Sequence, residues 1–189
     1  TVETVRSKAR GRDIDLVIMK PDATDGLPVC LLLHGRGGNA RGFIDFGIPK
    51  VLAAAVRDGT QPFAIAAVDC GDSYYMAHGG DNAFRMLTDE VPGWLAERGL
   101  ATNSLAALGF SMGGFGALCL ARRRPELRAV AVASAALFQR WSDAKSRNAF
   151  ADERQWREYE PLRHVEELNG IPLGVWCGTE DAFADSARE

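Results

Sequence analysis

The sequence predicts an α/β fold, a mostly parallel sheet with helices on both faces, and three observations carry it. Apolar runs at residues 29–33, 63–68, 105–110, 129–133 and 172–177 alternate with amphipathic stretches, and four of them read as parallel strands. One run breaks at Gly109-Phe110-Ser111-Met112-Gly113 and continues as a helix. The turns after Leu33, Phe110 and Cys177 each leave the carboxyl end of a strand, where ligands of such sheets bind, so they are expected to meet at one edge.

Residues 1–7 and 14–19 alternate loosely around Arg10-Gly11-Arg12-Asp13, the pattern of an antiparallel hairpin at one side of the sheet. Residues 21–28 form a turn-rich connection. Residues 29–33 are continuously apolar, as in a strand covered on both faces, and end in His34-Gly35-Arg36-Gly37-Gly38-Asn39. A helix is expected over residues 48–57. The strand at 63–68 opens into the polar, aromatic loop Asp69-Cys70-Gly71-Asp72-Ser73-Tyr74-Tyr75. Residues 81–98 read as helical, with Pro92 kinking the helix or starting a new turn. The helix after Ser111 ends at Arg122-Arg123-Arg124-Pro125, where cations suit the negative end of the helix dipole and proline stops the helix. Residues 136–169 are more polar and irregular, with Trp141, Trp156 and two expected short helices. The segment 136–170 reads as a small cap over the site, within a single domain spanning 1–189.

Composition narrows the function. The 189 residues are 47% hydrophobic and 25% charged, enough for one soluble domain with a sizeable core. A net charge of −3 argues against a nucleic-acid or anionic-membrane partner. No apolar stretch is long enough to span a bilayer and no signal peptide is read, while Thr1 leaves the protein cytoplasmic or exported. Cys30, Cys70, Cys119 and Cys177 form no C-x-x-C pair and read as free thiols, without spacing for zinc or a disulfide framework. Neither metal nor cofactor is expected, and oligomeric state is open.

The chemistry centres on Gly109-x-Ser111-x-Gly113. Between a buried strand and a helix this is the form of a nucleophile elbow, a sharp turn that lifts a serine hydroxyl clear of the sheet. Acyl transfer also needs donors for an oxyanion. The Met112 N–H is one candidate and the Arg36 N–H the other, with Gly35 and Gly37 letting the backbone approach substrate; a plain glycine-rich turn or a phosphate cradle is the alternative, but Walker spacing is absent. Asp181 lies just beyond a strand and suits the acid of a triad, with Glu180 and Asp185 as rivals and a helix-capping role as the alternative. Tyr74, Tyr75 and His78 are candidate substrate contacts in the loop after Asp69.

These residues resemble the α/β-hydrolase superfamily and, within it, the putative-esterase group that includes esterase D, feruloyl and acetyl esterases, and the antigen 85 mycolyltransferases. The likeness runs through Leu31-Leu32-Leu33-His34-Gly35, Asp69 with Tyr74-Tyr75, Asp89-Glu90-Val91-Pro92-Gly93-Trp94-Leu95, Gly109 to Ala117, and Gly178-Thr179-Glu180-Asp181. The paired glycines after Ser-Met favour the esterase branch. The resemblance implies Ser111 as nucleophile, Asp181 as acid, and Arg36 and Met112 as oxyanion amides, acting on a small-molecule ester. The family's catalytic histidine follows the acid, whereas His34, His78 and His164 all precede Asp181. His34 is expected to support its glycine turn, His78 to be a surface or substrate contact, and His164 to be structural. The general base is therefore expected beyond Glu189, together with a final strand and helix. The reading is a serine carboxylester hydrolase; transfer of the acyl group to a sugar or alcohol, and a non-catalytic binding module on the same fold, are the alternatives.

Overall fold

The structure is a computed structural model that describes residues 1–21 and 25–189. Part of the expected 21–28 connection, residues 22–24, lies outside the described residues. The main sheet takes its strands in the order β1 (Val2–Ser7), β2 (Arg12–Met19), β4 (Ala64–Val68), β3 (Pro28–Leu33), β7 (Ala101–Phe110), β8 (Val130–Ala133) and β9 (Leu173–Trp176). A separate two-stranded ribbon pairs β5 (Ala77–His78) with β6 (Asp81–Asn82). The hairpin β1–β2 is antiparallel, with Val2 opposite Val17 and Ser7 opposite Arg12, and β2 joins β4 antiparallel. From β4 through β3, β7 and β8 to β9 every pairing is parallel. The mostly parallel sheet with an N-terminal antiparallel hairpin is thus as the sequence predicts.

Strand order positions the site. The chain runs from β3 outward to β4, then crosses back to lay β7 against the other side of β3. Winding reverses there, so the loops leaving β3 and β7 diverge and open a crevice at their carboxyl ends. Helices cover both faces. After the short α1 (Gly42–Asp45), α2 (Ile48–Arg57) sets Leu52 with Ile48 and Val56 against Leu32, Ile65 and Ala67. The other face carries α5 (Met112–Arg123), buried at every position from Met112 to Ala121, as a helix must be when the sheet lies beneath it and other segments above.

The expected helix over 81–98 is broken into α3 (Ala83–Arg85), a π turn (Met86–Glu90) and α4 (Val91–Ala96). Pro92 has no N–H and its ring cannot follow an intact turn, so the chain widens ahead of it and restarts with proline in the first turn of α4. Glu90, at the end of the widened turn, accepts the Ser7 hydroxyl at 2.6 Å and the N–H groups of Lys8 and Ala9 at 2.9 Å each. One carboxylate so fastens the β1–β2 turn to the helical layer. Arg10 in that turn is buried, but its guanidinium is satisfied by the Asp81 carboxylate (2.6 and 2.9 Å) and the Asp69 carbonyl (2.6 Å), which is what makes a buried cation tolerable.

Beyond β8, residues 136–170 hold α6 (Trp141–Lys145), α7 (Glu153–Tyr159) and two 3-10 turns (Pro161–Arg163, Val165–Leu168). Phe138 and Phe150 from this segment pack on Tyr74, and Phe150 also packs on Phe115 of α5. Trp156 is 1% exposed, and full burial of so large a ring contributes on the order of 3 kcal/mol. At the far edge, β9 leaves Leu173, Val175 and Trp176 exposed. Phe110, Ala133 and Trp176 stand in register on the face that α2 covers only at β2, β4 and β3, so Phe110 and Trp176 remain 55% and 62% exposed. Among the described residues no helix is long and apolar enough to cross a membrane.

Candidate active site

Ser111 occupies the single residue between β7 and α5, at φ 54° and ψ −118°. A non-glycine residue seldom adopts positive φ, and it persists only where surrounding contacts enforce it. Those contacts are present. The Ser111 N–H donates to the Ala133 carbonyl at 3.0 Å, and its own carbonyl accepts from Ala136 (3.0 Å), Gly114 (2.9 Å) and Phe115 (3.2 Å). The flanking glycines follow from the same geometry. A Cβ on Gly109 would land on the Gly113 carbonyl, and one on Gly113 would land on the Leu33 carbonyl. With no room for a methyl group at either place, the turn stays tight and the start of α5 lies on β3.

The loop after β3 comes to the same point. A Cβ on Gly35 would sit 3.4 Å from the Ser111 Cβ, so the two turns are neighbours. The loop is fixed by carboxylates across from it: Gly37 N–H donates to Asp72 at 2.7 Å, Ala40 N–H donates to Asp69 at 2.6 Å, and Gly38 N–H closes on the Gly35 carbonyl at 3.0 Å. Among the described residues neither the Arg36 N–H nor the Met112 N–H has a protein acceptor. Two unspent backbone donors flanking a serine can donate hydrogen bonds to an anionic oxygen. The Arg36 side chain turns outward, with Nη1 donating to the Arg147 carbonyl at 3.3 Å and Nε lying 3.7 Å from Asp72.

Asp181 follows β9. Its carboxylate accepts the Phe183 N–H at 2.8 Å, and this bond, with a second from the Ser134 side chain, holds it below the usual carboxylate range. Ser134 is itself at φ 48°, and its N–H donates to the Trp176 carbonyl at 2.8 Å. The turns after β7, β8 and β9 are thereby stitched together through Ser111, Ala133, Ser134 and Asp181. Of the rival acids, Glu180 is exposed and Asp185 pairs with Arg188 at 2.7 Å.

The three histidines are committed elsewhere. His34 is buried; its Nε2 accepts the Cys70 N–H at 3.0 Å, which leaves the proton on Nδ1, facing the Gly35 carbonyl at 2.9 Å. Burial lowers its pKa and favours the neutral ring. His78 is exposed on the β5–β6 ribbon with Nε2 2.9 Å from the Ser73 carbonyl. His164 lies 2.9 Å from Glu167 and 3.0 Å from the Arg157 carbonyl.

The tyrosines require correction. Tyr75, a candidate substrate contact, is fully buried; its hydroxyl donates to the His34 carbonyl at 3.1 Å and its ring fills the space left by Gly116. Tyr74 is 3% exposed, its ring among Phe115, Phe138 and Phe150. Both residues take positive φ, 52° and 58°, which tucks successive rings beneath the loop instead of into solvent. They support the site from below. The supporting roles of Asp69 and Asp72 escaped the sequence reading, since each bonds a residue about 30 positions away. Among the described residues no cluster of three or more histidine, cysteine or carboxylate side chains is arranged to hold a metal ion.

A family model described as "Putative esterase" matches residues 7–185. Among solved structures, a ferulic acid esterase is 17% identical with a TM-score of 0.76, covering 94% of this chain and 88% of its own. MPT51 (FbpC1) of Mycobacterium tuberculosis is 22% identical with a TM-score of 0.77, covering 100% of this chain and 79% of its own. FphF of Staphylococcus aureus, a fluorophosphonate-binding serine hydrolase, is 20% identical with a TM-score of 0.76, covering 98% and 81%.

Proposed function

Because the chain belongs to the family described as "Putative esterase", we propose that it is a serine carboxylester hydrolase that works through an acyl-enzyme on Ser111. The observation that carries this reading is the positive φ of Ser111 in the one-residue turn between β7 and α5, against Gly35 of the β3 loop. The turn is read as a nucleophile elbow. The Ser111 hydroxyl attacks the ester carbonyl carbon while a base takes its proton. The carbonyl oxygen becomes an oxyanion held by the Met112 and Arg36 N–H groups. Collapse breaks the bond to the alcohol, which leaves with the proton and gives acyl-serine. Water attacks in the second half, and the carboxylic acid departs. No cofactor enters this scheme.

Asp181 is assigned to orient the base. Its lowered pKa keeps it ionised at neutral pH, as stabilising an imidazolium requires. The base is assigned to a histidine supplied from outside residues 1–189, since His34, His78 and His164 are engaged with other groups. Residues 136–170 are assigned as a cap, on the strength of the Arg36 to Arg147 bond and the packing of Phe138 and Phe150 on Tyr74. That His34, His78 and His164 are all bonded to other groups among the described residues favours, as second reading, a binding module without catalysis.

Hydrolysis of p-nitrophenyl acetate by the full-length protein tests the proposal. A pre-steady-state burst of nitrophenol, absent in Ser111→Ala, is expected. Turnover that survives the substitution contradicts the assignment, and a folded full-length protein without turnover favours the binding module. Adding an alcohol acceptor and analysing products separates hydrolysis from acyl transfer.

A further inference from the structure

Between α6 and the turn that carries Asp181 lies a cleft of about 460 Å³, with Phe138, Arg147 and Phe183 among its walls. The Arg147 guanidinium stands 6.0 Å from the Phe138 ring centre and 5.6 Å from that of Phe183, and the two rings pack edge to face at 5.8 Å. The backbone of Arg147 is held at both ends: its N–H donates to the Ala144 carbonyl at 3.0 Å, and its carbonyl accepts the Arg36 side chain at 3.3 Å. Arg36 belongs to the loop against Ser111, and Phe183 is two residues past Asp181. Arg147 therefore stands where the β3 loop, residues 136–170 and the acid turn come together.

The charges in the cleft do not balance. Asp143 is paired with Arg140 at 3.2 Å, and Asp185 with Arg188 at 2.7 Å. Asp181 is occupied by the Phe183 N–H and Ser134. Arg147 has no carboxylate partner among the described residues, and none of its guanidinium N–H groups donates to a protein oxygen. Stacking on aromatic faces orients a guanidinium without using its in-plane donors, which leaves its planar fork free for a bidentate carboxylate. Arg147 is exposed, so an incoming carboxylate can reach that fork from solvent. Burial raises the pKa of the Tyr74 phenol, and the positive charges of Arg147 and Arg36 pull it back.

We propose that Arg147 is the specificity-determining residue of this site and binds a free carboxylate carried by the ester substrate. This rests on Ser111 being the nucleophile, but it makes a separate prediction about charge. The test uses full-length protein and matched esters. On the acyl side, mono-4-nitrophenyl glutarate is compared with 4-nitrophenyl valerate; on the alcohol side, 4-acetoxybenzoate is compared with its methyl ester. In one of these pairs the ratio of kcat/KM, charged over neutral, is expected to fall about tenfold in Arg147→Met, through KM, and to recover in part in Arg147→Lys. Calorimetry of glutarate and of benzoate binding to Ser111→Ala, with and without Arg147→Met, gives the same answer without turnover. If neither pair changes its ratio and neither anion loses affinity, the proposal is overturned. If neutral esters are not hydrolysed at all, the esterase reading fails, and the calorimetry still decides the role of Arg147.

Discussion

Glu160 offers a quantitative test of how residues 136–170 are held. Its side chain is fully buried, with Oε2 accepting the Trp156 indole N–H at 3.0 Å and the Phe138 N–H at 3.2 Å. Burial pushes its carboxyl up from 4.5 to about 7, partly offset by these bonds and by Arg163. The folded protein therefore keeps a proton that the unfolded chain releases above pH 4.5. Stability contributed by the protonated group is fully present below pH 4.5, falls as pH rises, and is lost once pH passes about 7. At about 1.4 kcal/mol per pH unit the full swing is on the order of 3 kcal/mol. Glu160→Gln removes the titration while keeping one oxygen to accept from Trp156 and Phe138. Urea denaturation of both proteins at pH 5 and pH 8 is the assay. The variant is expected to match the wild type, or fall about 1 kcal/mol below it, at pH 5, and to exceed it by about 2 kcal/mol at pH 8. An equal difference at the two pH values would refute the claim that this carboxyl resists ionisation.

Further substitutions probe the support of the serine. Gly113→Ala puts a methyl group into the Leu33 carbonyl and is expected to cost more than about 3 kcal/mol or abolish soluble expression; a melting temperature within a few degrees of wild type would contradict the packing described. His34→Ala leaves the Cys70 N–H without its acceptor and is expected to lower stability by about 1–3 kcal/mol and kcat with it, yet leave the apparent pKa of the pH–rate profile in place; loss of that ionisation would make His34 the base. Asp72→Ala frees the Gly37 N–H and is expected to lower kcat about tenfold with KM little changed, because the β3 loop loses its anchor; a change confined to KM would point to direct substrate contact instead.

Much of this architecture can be read from local pattern. Continuous apolar runs, a glycine on each side of Ser111 and a proline after three arginines each mark a boundary using residues next to one another. What stays hidden depends on distant pairs. Asp69, Tyr74 and Tyr75 look like an exposed polar loop, yet two successive positive φ angles bury both rings, and only Gly116 makes room for one of them. Glu90 and Arg10 are each spent on partners more than 50 positions away, which no neighbouring residue signals. Glu160 has one local donor, Trp156 four residues before it, but its second, the Phe138 N–H, comes from 22 residues away. Pro92 signals a break, but the contacts of Glu90, at the end of the π turn ahead of it, lie more than 80 positions away.

The most direct measurement is mass-spectrometric mapping of a fluorophosphonate adduct on the full-length protein. The account predicts a single covalent modification on the peptide carrying Ser111, blocked by Ser111→Ala and by heat unfolding beforehand. A folded protein that takes up no label, or takes it up at another serine, would contradict it.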